Sequence, residues 1–141
     1  MPRTLQDIGL AVKRLQARHH RALDTRLAIL GISLVQWDAL RHLARNPDAS
    51  LHDLAQLTFQ SDQAFGALAG RMVERGLIER VPGPGRAVHH RITDRGRRLL
   101  AEASPLVDDV LAASLGTLAP PQLDLLGDLL DRLATSEISP R

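Results

Sequence analysis

Apolar residues follow two rhythms along this chain. From about Thr4 to Leu30, Leu5, Ile8, Val12, Leu15, Leu23, Leu27 and Leu30 recur at helical spacing, interrupted by the basic-polar stretch Arg18 to Arg21. A period near 3.6 residues puts such positions on one side of a helix. The spacing predicts one long helix ending at Gly31, and a helix this long in a small protein needs packing beyond its own domain. Ser33 and Gln36 form a capping-box pattern that opens a second helix, with Leu34, Trp37, Leu40 and Leu43 on its buried face. Asn46-Pro47-Asp48 is a turn. Ser50 and Asp53 then open a short helix from Leu51 to Leu57, and Thr58 to Gln60 forms a tight connector. Ser61 caps a fourth helix, Asp62 to Arg75, whose inward stripe is expected to be Phe65, Leu68, Met72 and Val73. Gly76 stops it.

The period then changes. Leu77 to Val81 reads as a short strand, Pro82-Gly83-Pro84-Gly85 as loop, and Val88 to Thr93 as a second strand returning antiparallel. Thr93 or Asp94 caps a long fifth helix, which Pro105 is expected to kink or break in two. Leu106, Val107, Val110, Leu111 and Leu115 carry its apolar face onward. Pro120-Pro121 opens a last helix with Leu123, Leu126, Leu130 and Leu133 on one side. Two short helices joined by a tight turn and followed by a hairpin make a winged helix-turn-helix. The predicted fold is mainly α with a small β-hairpin, the winged helix-turn-helix lying between N- and C-terminal dimerisation helices. The expected division is 1–32 (dimerisation helix), 33–99 (DNA-binding lobe) and 100–141 (dimerisation helices).

Composition narrows the function. At 141 residues the chain suits one hydrophobic core, built from aliphatic side chains because Trp37, Phe59 and Phe65 are its only aromatics. With no cysteine, disulfides and thiolate metal sites are excluded. No apolar run is long enough for a bilayer, and the N-terminus lacks a signal-peptide core, so a cytoplasmic location without membrane attachment is expected. Net charge is only +2, but it is unevenly spread. Arg71 to Arg98 holds eight arginines against Glu74, Glu79 and Asp94; Leu99 to Glu137 holds seven acids against Arg132 alone. A basic middle beside an acidic tail suggests one surface that meets polyanions. The histidine pairs His19-His20 and His89-His90 diverge on a helix or strand and give no metal-ligand spacing. No nucleophile-base pair or phosphate-cradling loop occurs, so neither an enzyme nor a cofactor is expected.

Double-stranded DNA is the partner this arrangement suits. A recognition helix enters the major groove by its N-terminal part, which here offers Gln60, Ser61 and Gln63. Glutamine can pair with adenine, and Ala67 can touch a thymine methyl. Ser61 and Asp62 also serve simply as cap and helix-start acid. Arg71 suits a phosphate contact, whereas Arg75 suits a structural ion pair with Glu74 or Glu79. Arg86, beside the glycine-rich hairpin tip, suits a narrow minor groove.

The segments ISLVQWDALRHLA, LHDLAQLT, LAGRMVERGLIER and GRAVHHRITDRGRRLL, in that order and spacing, resemble the MarR (multiple antibiotic resistance regulator) family. The matching stretches are Leu34 to Leu40, Leu51 to Ala55, Leu68 to Arg80 and Ile92 to Gly96. The resemblance implies a homodimeric, ligand-responsive repressor binding a pseudo-palindromic operator. It also implies a small aromatic or anionic effector between the dimerisation helices and the DNA-binding lobe, where His19, Arg21, Trp37 and Arg41 would line the site. The chain departs from the family at the wing, with Pro84-Gly85-Arg86 where Asp-Arg-Arg is common. It departs again at Ala64-Phe65-Gly66-Ala67, where Thr and Arg are usual on the exposed face. That apolar stretch supports an alternative, a winged-helix protein-interaction module without specific DNA binding.

Overall fold

The computed structural model describes residues 1–83 and 85–138. Its helices are α1 (Leu5–Leu27), α2 (Leu34–Arg45), α3 (Leu51–Leu57), α4 (Asp62–Glu74), α5 (Asp94–Ser114) and α6 (Pro120–Ala134). Strands β1 (Ile78–Val81) and β2 (His89–Ile92) lie between α4 and α5. Local hydrogen bonds set the helix starts. Thr4, Ser33 and Ser50 each close a capping box with the residue three positions on, and the Ser61 and Thr93 hydroxyls accept from Ala64 and Gly96 N–H. After α1 the chain tightens into a 3-10 turn, Ala28–Leu30, and leaves it through Gly31 at φ 74°. This left-handed conformation is cheap only for glycine.

One core joins the lobe to its flanking helices. Leu23 and Leu27 of α1, Leu40 and Leu43 of α2, Leu54 of α3, Phe65, Leu68 and Met72 of α4, Ile78, Ile92, and Ala103 and Val107 of α5 form a single buried cluster. Val73 departs from the expected inward stripe and is exposed. At 100° per residue it lies off the face shared by Phe65, Leu68 and Met72. The expected break at Pro105 does not occur either, since α5 is continuous through it. Proline removes the N–H that would bond the Ala101 carbonyl, but Pro105 and Ala101 are exposed, so water can take that role. Buried Ala103 and Val107 hold the helix to the core on either side.

The hairpin pairs Ile78 with Ile92 and Glu79 with Arg91. Alternation along each strand turns both isoleucines into the core and the charged pair outward. An isolated bridge between Ser50 and His89, with Leu51 N–H donating to the Val88 carbonyl at 2.8 Å, ties the start of α3 to the hairpin. Of the Pro82–Gly85 loop, Pro84 lies outside the described residues, as do the last three residues of the C-terminal segment.

The chain's two ends behave differently from the core. Leu5, Ile8, Val12 and Leu15 are exposed on α1, and α6 buries no residue, leaving Leu123, Leu129, Leu130 and Leu133 open. Among the described residues, no helix is long and apolar enough to cross a membrane.

Candidate nucleic-acid interface

Packing decides which side of α4 faces out. Phe65, Leu68, Ala69 and Met72 are buried, so the opposite face carries Gln63, Ala67, Gly70 and the acid Glu74, all exposed, with Arg71 on its flank. Ala67 and Gly70 are small, and a Cβ placed on Gly70 would meet no atom within 4 Å.

The N-terminal end of α4 is less free than its sequence suggests. The Gln60 side chain is half-buried and donates to the Thr58 hydroxyl at 3.1 Å, while its backbone N–H donates to the Ala55 carbonyl at 2.8 Å. The Ser61 hydroxyl accepts from Ala64 N–H at 3.1 Å and so acts as the cap. Asp62 faces His52 of α3, whose Nδ1 lies 2.8 and 3.0 Å from the two carboxylate oxygens. This link between the two helices has no signature in the sequence, since both residues are exposed and ten positions apart. Phe59, also in the connector, takes a left-handed φ of 57° and is 97% exposed.

The arginines sort by partner. Arg91 donates to Glu79 across the hairpin, with Nε at 2.8 Å, and Arg97 lies 3.5 Å from Asp94. Arg75 donates to Gln36 Oε1 of α2 at 3.3 Å, so its role is structural, but its partner is Gln36 in place of the expected Glu74 or Glu79. Among the described residues, Arg71 and Arg86 form no ion pair, and both are exposed. Arg86 sits in the turn of the hairpin next to Gly85, which has φ 69°. Exposed arginines without an acidic partner are available for phosphate contact.

Two titratable groups nearby are perturbed. Hydrogen bonding from the Ser50 backbone and then its hydroxyl lowers the Asp53 carboxyl below its ordinary value, which keeps the α3 capping box charged. His90, 5% exposed beneath the hairpin, is pushed down mainly by burial and further by the Arg80 and His89 charges. Its Nδ1 has no hydrogen-bond partner, so it is a neutral core residue.

The residues expected at an effector site separate into two groups. His19 and Arg21 line a cleft of about 950 Å³ between α1 and α5, together with Arg18, Arg26 and Ser114. His19 Nε2 and Ser114 Oγ are 2.7 Å apart. Val110, Leu118 and Leu126 supply the apolar part of the wall. Trp37 and Arg41 are not among the lining residues. They lie on α2, where the Arg41 guanidinium stacks 5.6 Å from the Trp37 ring centroid and the ring packs against the core. The sequence offered no signal for Ser114 or Arg26, which come from helix pairing. Among the described residues, no group of three or more potential ligands is placed to hold a metal ion.

Residues 30–87 match the model of the MarR family. Over 130 residues, 91% of this chain and 94% of the relative, the sequence is 26% identical to the HTH-type transcriptional repressor Rv2887 of Mycobacterium tuberculosis (strain ATCC 25618 / H37Rv). NadR in complex with 4-hydroxyphenylacetate has a TM-score of 0.80 and 26% identity, covering 97% of this chain and 100% of that one. A mutant MarR from E. coli complexed with operator DNA shares the fold, with a TM-score of 0.81 at 22% identity over 89% and 92% of the two chains.

Proposed function

From the match of residues 30–87, α2 through β1, to the MarR family, we propose that the chain is a MarR-family homodimeric transcriptional repressor whose hold on a pseudo-palindromic operator is set by a small anionic aromatic effector. The observation that carries DNA binding is the exposed face of α4, with Gln63, Ala67 and Arg71, flanked by a hairpin whose turn presents Arg86. Gln63 and Ala67 read bases, and Arg71 and Arg86 hold the phosphate backbone or the minor groove. Gln60 and Ser61 shape the entry to α4 and contact DNA through whatever hydrogen-bonding capacity their local bonds leave.

Dimerisation is supported by the apolar faces of α1 and α6, which the single chain leaves in water. A twofold partner covers both and sets two recognition helices about one turn of duplex apart, roughly 34 Å. Leu126→Glu with Leu130→Glu should give monomers by sedimentation, or unfold the chain. A wild-type protein that stays monomeric at micromolar concentration would remove this part of the proposal.

The effector reading rests on the cleft between α1 and α5, where Arg18, His19 and Arg21 surround an apolar wall. A carboxylate would meet the cations and an aromatic ring the leucines. Trp37 and Arg41 then act from outside the cleft, if at all. Because the cleft runs beside the proposed dimer faces, an occupant would shift the spacing of the two lobes and weaken DNA binding.

The deciding experiment is titration of the protein into random-sequence duplex at several salt concentrations, then into duplex selected from genomic fragments. A repressor binds both, with a steep salt dependence and tighter binding to the selected duplex. The small residues Ala67 and Gly70 on the exposed face of α4 also favour a second reading, a winged-helix module for protein partners, and that reading holds if no duplex binds.

A further inference from the structure

Phe59 is unfavourable in its place on two independent counts. Its φ of 57° lies in the left-handed region, where a bulky side chain strains the backbone and glycine or asparagine would not. Its ring is 97% exposed, so the fold gains nothing from burying it. The chain has only two other aromatics, and both Phe65 and Trp37 pack in or against the core. The connector's own hydrogen bonds do not use the ring. Phe59 N–H donates to the Gln56 carbonyl, and Gln60 N–H to the Ala55 carbonyl, through backbone alone. Strain and exposure retained together point to a contact outside the chain.

Position identifies what that contact is. Phe59 precedes the α4 cap Ser61 by two residues, so its Cα is within about 7.6 Å of the cap. It therefore stands at the end of the recognition helix that enters a duplex first. The face it adjoins carries Gln63, Ala67 and Gly70 but no long apolar reader. The major groove offers one apolar group, the thymine methyl.

We propose that Phe59 is a specificity-determining DNA contact, its ring packing on a thymine methyl at the edge of the major groove and adding an apolar base contact to those of Gln63 and Ala67. The proposal rests on the DNA-binding reading above. Within the connector Thr58 to Gln60, the Phe59 ring is the one long apolar group.

The test uses the full chain with a duplex selected from random-sequence DNA, and the same duplex made with deoxyuridine in place of thymidine. Phe59→Asn is the variant, because asparagine suits the left-handed backbone and should leave thermal unfolding equal or slightly raised. Wild type should bind the thymidine duplex several-fold more tightly than the deoxyuridine one. Phe59→Asn should lose about tenfold in affinity for the thymidine duplex, or ~1.4 kcal/mol, and most of the discrimination between the two. Phe59→Leu, which keeps an apolar group, should fall between. Unchanged affinity in Phe59→Asn would overturn the proposal. So would an equal loss on both duplexes, which would assign the ring to the sugar-phosphate wall. A wild type that binds no duplex would instead refute DNA binding itself, separately from the role of Phe59.

Discussion

Replacing Gly96 with alanine sets two effects of opposite sign against each other. Gly96 occupies the third position of α5. By intrinsic helix propensity alone, alanine there should stabilise by about 1 kcal/mol. The tertiary structure forbids the gain. A Cβ at Gly96 would lie closer than 3.0 Å to the Leu77 carbonyl oxygen and 2.8 Å from Ile92 Cγ1. The first neighbour is backbone and cannot rotate away. The Leu77 carbonyl also accepts from Thr93 N–H at 3.1 Å and from the Thr93 hydroxyl at 3.0 Å, and these bonds fasten the hairpin to the start of α5. Relieving the clash means moving this carbonyl. Overpacking costs about 1–3 kcal/mol, and two weakened hydrogen bonds cost about 0.5–1.5 kcal/mol each. Against the propensity gain, the net is a loss of roughly 1–5 kcal/mol. At about 3 °C per kcal/mol for a chain of this size, Tm should fall by roughly 3–15 °C. Thermal and urea unfolding at fixed protein concentration measure it, since dimerisation would make Tm concentration-dependent. Gly70→Ala is the control. It is also helical but has open space around its Cβ, and should gain about 1 kcal/mol. If Gly96→Ala matches or exceeds wild type, the packing of α5 on the hairpin is not as described.

Three further outcomes follow from the same geometry. Arg86→Ala should weaken operator binding by about 1–3 kcal/mol per site with unfolding unchanged, and reduce the salt slope by about one unit if the contact is to phosphate; wild-type affinity would show that the hairpin is no DNA-binding wing. Asp62→Asn should tighten binding to duplex, because it removes an exposed carboxylate from the end of α4 that meets phosphate; unchanged affinity would place Asp62 away from the duplex. His90 has its folded-state pKa lowered below 6.5, so the folded chain binds fewer protons than the unfolded one. Its stabilising contribution is full above pH 6.5 and is lost as pH falls through the lowered value, so the acid-side loss of stability should flatten in His90→Leu, and an unchanged acid limb would assign it to other groups.

The sequence by itself determined the order and most of the ends of the helices, because these depend on bonds between residues three or four apart. Ser33 with Gln36 and Ser50 with Asp53 close their capping boxes wherever the helix later packs. Gly31 likewise ends its turn through its own backbone freedom. The buried stripe of α4 was legible for the same reason, through Phe65, Leu68 and Met72 at helical spacing.

What the tertiary structure alone decided involves partners distant in the chain. Whether Pro105 breaks α5 depends on which side of that helix meets solvent, a property of the packing around Ala103 and Val107. Arg75 and Gln36 are 39 positions apart, and His19 and Ser114 are 95 apart. No periodicity links such residues, and of the four expected together, His19 and Arg21 line the cleft between α1 and α5 while Trp37 and Arg41 lie on another helix. For the residues proposed to face DNA, the sequence shows the side-chain type but not whether folding leaves it free or engaged. Gln60 is a capable base reader by chemistry, yet its amide is held by Thr58. Phe59 is an ordinary core residue by composition, yet a left-handed turn places it in water. Side-chain chemistry is a property of the residue, but the groups left over for a partner are set by the contacts that folding makes first.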